Sequence, residues 1–132
     1  MTKLHRTQTG ISGEYFASAE LIRRGFSIAI TMGNTKSIDI FGEKDNKTFK
    51  FQVKSIQSKK SISFNLSRET VITECFYIFV NLNADTLTPP DFFIMKGSKV
   101  STHLKLAKSG RDWIDFNYLR KNGFENNWDV IL

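Results

Sequence analysis

The chain is poor in the residues that build cross-linked or metal-stapled folds. Its 132 residues include one cysteine, two histidines and two prolines. A lone Cys75 excludes an intramolecular disulfide, and with so few histidines a structural zinc site is excluded too. No apolar run approaches the ~20 residues that span a bilayer. The first ten residues, Met1 to Gly10, lack the apolar stretch of a secretory leader. A cytoplasmic protein with no membrane partner is therefore expected. Internal repeats, low-complexity tracts and linkers are also missing, so residues 1–132 are expected to form a single domain.

What is present is apolar bulk and positive charge. Apolar residues make up 40% of the chain, and 12 phenylalanines supply core volume. The formal net charge of +6 favours a polyanionic partner, nucleic acid first and an anionic membrane surface second.

The most informative stretch runs from Ser37 to Lys54, SIDIFGEKDNKTFKFQVK. Two runs of strand formers, Ile38–Phe41 and Thr48–Val53, flank a polar turn. Asp45 and Asn46 both tolerate the positive φ of a tight hairpin turn. Counting outward from a two-residue turn pairs Lys44 with Lys47 and sets Asp39 opposite Gln52. Cross-strand partners share a face, and Lys54, two residues beyond Gln52, shares it as well. Phe49, Phe51 and Val53 then form a core stripe on the other face. A carboxylate, a carboxamide and an ammonium on one surface suit metal-assisted phosphodiester hydrolysis. The same pattern also describes an inert, solvated sheet face.

The arrangement Asp39-x₁₂-Gln52-x-Lys54, behind a helix containing Gly13-Glu14, resembles the PD-(D/E)xK nuclease superfamily. Asp39 looks like its aspartate and Lys54 like its lysine. Gln52 stands where Asp or Glu is usual, and Ile38 stands in place of the proline. The resemblance covers about Gly10 to Val80. It implies an α/β, restriction-endonuclease-like αβββαβ core: a mixed central sheet flanked by helices. It implies a Mg²⁺-dependent (or Mn²⁺-dependent) endonuclease acting on DNA. Asp39, Gln52, the Val53 carbonyl and Glu14 would hold the metal, and Lys54 would sit at the attacking water. The substitution at Gln52 keeps a rival open, a nucleic-acid-binding module that retains the fold without cleavage. An interaction protein with no nucleic-acid partner is a third reading.

The rest of the chain is read around that centre. Gly10–Arg24 is expected to be an amphipathic helix with Ile11, Tyr15, Ala19 and Ile22 facing the core. Glu14 lies at the edge of that stripe beside Ser18 and needs a partner there. Phe26–Met32 reads as the first strand. Lys36, Ser37, Ser55, Lys59 and Lys60 are candidate phosphate contacts, which give affinity without sequence choice. Ile62–Leu66 reads as a short strand, and Ser67 as the cap of a short helix. Phe76–Leu82 reads as a central strand buried on both faces, with Asp91–Met95 pairing to it. His103, on a helical segment from Val100, has a surface role. The aromatic tail, Trp113 to Trp128, either packs on the domain or stacks on bases; surplus exposure there would mark a homodimer face.

Overall fold

The computed structural model describes residues 3–31 and 38–131. The chain opens with α1, Arg6–Arg23, four residues earlier than the Gly10 start expected from apolar spacing. Its N-terminus is tied by Gln8, whose Oε1 accepts the His5 N–H at 2.8 Å. Its C-terminus closes as a Schellman motif: Gly25 N–H donates to the Ile22 carbonyl and Phe26 N–H to the Leu21 carbonyl. Gly25 takes φ +98°, which suits a residue without Cβ.

The face that α1 buries differs from the expected one. Gly13, Ala17, Ser18 and Leu21 lie against the sheet, whereas Ile11, Tyr15 and Ile22 are 48%, 58% and 55% exposed. The reason is close approach. A Cβ at Gly13 would fall 1.7 Å from Ser55 Oγ. Small residues therefore set the seam, and the bulky apolar ones point outward.

Five strands form the main sheet: β1 (Ser27–Ile30), β2 (Ile40–Lys44), β3 (Lys47–Ile56), β5 (Phe76–Asn81) and β6 (Asp91–Lys96). Their spatial order is β1-β2-β3-β5-β6, parallel only between β3 and β5. The β2–β3 hairpin has the expected two-residue turn. Asp45 and Asn46 take φ 53° and 62°, and Lys44 pairs with Lys47. A second, two-stranded sheet pairs β4 (Ser63–Asn65) with β7 (Trp113–Asp115).

Alternation along the strands divides the core in two. Phe51, Val53, Ile78, Val80 and Ile94 face α1, together with Trp128. Tyr77, Phe79, Phe93 and Met95 face the other way, under Phe64, Ile114, Phe116 and Leu119. The β5 run is buried on both faces, as a continuous apolar strand should be. The aromatic tail packs on the domain. It supplies β7, α3 (Phe116–Lys121) and a 3₁₀ turn, Trp128–Ile131. The remaining helix, α2 (Gly97–His103), follows β6 and buries Val100. His103 is hydrogen-bonded to the Tyr118 hydroxyl.

The crossover from β3 to β5 holds β4 and one 3₁₀ turn, Arg68–Thr70, in place of the short helix expected after Ser67. Thr70, Val71, Ile72 and Thr73 are all β-branched and disfavour a helix. The buried Asp112 holds this segment. Its carboxylate accepts from the Arg68 guanidinium and from the N–H groups of Arg68 and Ala107, which keeps it well below the usual carboxylate range. Among the described residues, no helix is long and apolar enough to cross a membrane.

Candidate active site

The site forms where β2 begins and β3 passes it. Regular pairing between the two strands ends at Ile40–Phe51. Asp39 thus departs from the regular cross-strand position opposite Gln52. Its N–H still donates to the Phe51 carbonyl at 3.0 Å, but its side chain turns toward the backbone of β3, where Oδ2 accepts the Val53 N–H at 2.7 Å. Its carbonyl is held by the Thr31 N–H at 2.9 Å and by the Thr31 hydroxyl. One carboxylate oxygen is therefore committed to the backbone, which fixes the orientation of the carboxylate.

Gln52 and Lys54 alternate with the buried Phe51 and Val53, so they share one face of β3. In the parallel register Gln52 lies beside Tyr77 and Lys54 beside Phe79. Gln52 Oε1 is buried and has no hydrogen-bond donor. A buried amide oxygen without a partner carries a desolvation cost of about 1–3 kcal/mol. A cation is one partner that removes it.

Glu14 approaches from α1. The Gly13–Ser55 contact presses the helix onto the Phe51 and Val53 face of β3, opposite the Gln52 and Lys54 face, and Glu14 sits half-buried at the rim of that helix. Desolvation, and then the Asp39 carboxylate, push its pKa from 4.5 up to about 7. Burial also raises Asp39, with the Val53 N–H and the Lys54 charge pulling the other way. Of the two carboxylates with raised pKa values, Glu14 senses Asp39, and Asp39 also senses the Lys54 charge.

The donor set is small. Among the described residues, no three His, Cys, Asp or Glu side chains gather as a metal cluster. The candidate donors are the Asp39 and Glu14 carboxylates, the Gln52 amide oxygen and the Val53 carbonyl. These are hard oxygen donors. They fit Mg²⁺, which keeps several waters and needs only one or two carboxylates from the protein.

Other expected contacts divide. Lys59 and Lys60 are exposed just past the end of β3, open to a phosphate backbone. Ser55 is a correction: its hydroxyl is buried beneath Gly13 and cannot reach nucleic acid. Lys36 and Ser37 lie outside the described residues. Two positioning residues were missed from sequence. Thr31 holds the Asp39 carbonyl, and nothing in its local pattern marks it. Gly13 sets the helix height, and the only signal was a glycine inside a helix beside an acid.

Two solved structures share this fold. The bacterial homing endonuclease I-Ssp6803I aligns over 98% of this chain and 94% of its own, with TM-score 0.66 and 16% identity. The Holliday junction resolvase Hjc of the archaeal hyperthermophile Archaeoglobus fulgidus aligns over 85% of this chain and 88% of its own, with TM-score 0.56 and 15% identity. No family model matches the chain, and no curated protein matches it.

Proposed function

We propose that this chain is a metal-dependent phosphodiester hydrolase that cuts DNA. The mixed α/β fold, shared with a homing endonuclease and a junction resolvase, gives the setting. The observation that carries the reading is the buried, partnerless Gln52 Oε1 on the same face of β3 as Lys54, with the Asp39 carboxylate held by the Val53 N–H of that strand. Asp39, Gln52, Glu14 and the Val53 carbonyl would hold Mg²⁺ or Mn²⁺. Such an ion, when bound, supplies charge at phosphorus and a more acidic water.

The protein groups have separate tasks. The Val53 N–H fixes the Asp39 carboxylate, so little reorganisation is needed when charge develops. Lys54 places an ammonium beside that carboxylate, where it orients a water and offsets negative charge on the phosphate. Glu14, with its pKa at about 7 in the metal-free protein, would give up its proton on becoming a ligand. Lys59 and Lys60 supply affinity for the backbone without reading sequence.

The test is cleavage of plasmid, linear and branched DNA with Mg²⁺ or Mn²⁺, run beside Asp39→Asn. Asparagine keeps an oxygen for the Val53 N–H and removes the charge. Cleavage by the wild type that the variant lacks supports the reading. Equal activity in both proteins rejects it. One observation favours a second reading, a binding module without cleavage: the two-carboxylate donor set carries one charge fewer than a site with an acid at position 52. Salt-dependent DNA binding with no cleavage on any substrate would select it.

A further inference from the structure

A helix that packs one face in a domain normally turns polar residues to water. The outward face of α1 breaks that rule. Ile11, Tyr15, Phe16 and Ile22 are 48%, 58%, 43% and 55% exposed. Ile11, Tyr15 and Phe16, with Gln8, Ser12 and Ala19, line an open, mainly apolar groove along the helix, and Ile22 continues the exposed face beyond it. At ~100° per residue these positions cover about 140° of the circumference, on the side away from Gly13, Ala17 and Leu21. No charged side chain lines the groove. Arg23, at the C-terminal end of the same face, is engaged by Glu20 of its own chain. The helix is therefore apolar on two sides, and only one side is covered by its own domain.

We infer that this face pairs two copies of the chain about a two-fold axis. An isologous contact needs a self-complementary surface. An antiparallel crossing centred between Tyr15 and Ala19 provides one. It sets the large Tyr15 of each copy over the small Ala19 of the other, with Ile11 and Ile22 near opposite ends of the contact. The area fits. The four exposed side chains offer roughly 400 Å² per copy. With the flanking Gln8, Ser12 and Arg23 the contact reaches about 1,200 Å² over both copies, the lower limit of specific interfaces. Such a contact gives a dimer that dissociates in the micromolar range rather than an obligate one. Glu14 adjoins Tyr15 in sequence, so the pairing element also carries a residue of the candidate site. On the nuclease reading, the two-fold supplies two sites for the antiparallel strands of a duplex; the dimer itself does not depend on that reading.

Sedimentation of the purified chain, without DNA, from low to several hundred micromolar tests this. The weight-average mass should rise from one to two chains over that range. Ile11→Ser with Tyr15→Ser should hold it at one chain at every concentration. Because both residues are exposed, the far-UV spectrum and melting temperature should be kept. Ile22→Lys, a single change that sets an unpaired ammonium against the apolar face of the other copy, guards against misfolding of the double variant and should weaken the dimer at least tenfold. A wild type that stays monomeric throughout overturns the inference, and so does a dimer untouched by both variants. A monomer that co-sediments with lipid vesicles through Tyr15 would assign the face to a membrane surface and overturn it equally.

Discussion

Replacing Glu14 by glutamine should make the metal-free protein more stable at neutral pH and less stable in its hold on metal. Glu14 has its folded-state pKa raised from 4.5 to about 7. Folding therefore favours the protonated form. That contribution is fully present below pH 4.5 and is lost as pH rises through 7. Taken whole, the shift corresponds to about 3.4 kcal/mol. Glu14 is only half-buried, so water screens it, and roughly 1–2 kcal/mol is the realistic share. Glutamine mimics the protonated state at every pH. In chelator, urea unfolding curves of wild type and variant should coincide near pH 4. They should separate progressively to about 1–2 kcal/mol at pH 8, or ~3–7 °C in melting temperature. With Mg²⁺ or Mn²⁺ the order reverses. The ion must displace the Glu14 proton, so wild-type affinity should climb through pH 7 with release of up to one proton. The variant should bind more weakly with a flatter pH dependence. Titration calorimetry in two buffers of different ionisation enthalpy reads the proton directly. Parallel stability curves from pH 4 to 8 would refute the reasoning, because they would mean that Glu14 titrates as an ordinary surface acid.

Three further outcomes follow from the same geometry. Gln52→Glu adds a charge beside Asp39; it should lower metal-free stability by about 1 kcal/mol and tighten Mn²⁺ binding about tenfold, while DNA cleavage persists or is switched on. Complete inactivity before and after the change, on every DNA form tried, would favour the binding module. Gly13→Ala pushes a methyl into Ser55 Oγ, where only 1.7 Å is free; urea denaturation should show a loss of about 1–3 kcal/mol, with weaker metal binding as Glu14 is lifted from the sheet. Lys59→Ala with Lys60→Ala should flatten the plot of log K against log salt for DNA by up to about two units, each phosphate contact being worth roughly 0.9. An unchanged slope would remove both lysines from the interface.

The legible part of the fold was its β-structure. Asp45-Asn46 between two alternating runs determines hairpin, register and faces together, because a side-chain period of two leaves one choice of core face. That choice placed Gln52 and Lys54 on one surface, and Phe51 and Val53 on the other, in both the sequence and the structure. The continuous run Phe76–Asn81 likewise could only be interior. The helix misled for a physical reason. Apolar periodicity finds the bulkiest stripe, but α1 approaches the sheet through Gly13, Ala17 and Ser18, whose small size no hydropathy pattern rewards. Long-range polar contacts were equally invisible. Arg68 and Asp112 lie 44 residues apart in the chain, and neither has a local pattern that marks the other. The same holds for Thr31 behind Asp39.

The account rests on Gln52 Oε1 being a ligand oxygen rather than a stranded one. Crystals soaked in Mn²⁺ test this most directly, because the anomalous signal locates the ion without assumptions about its ligands. The account predicts a peak at coordination distance from Gln52 Oε1 and the free Asp39 oxygen, about 2.1 Å for an ion of Mg²⁺ type, with Glu14 turned toward it. A saturating soak with no peak there, or one in which Gln52 swings out to solvent while the ion binds elsewhere, would contradict it.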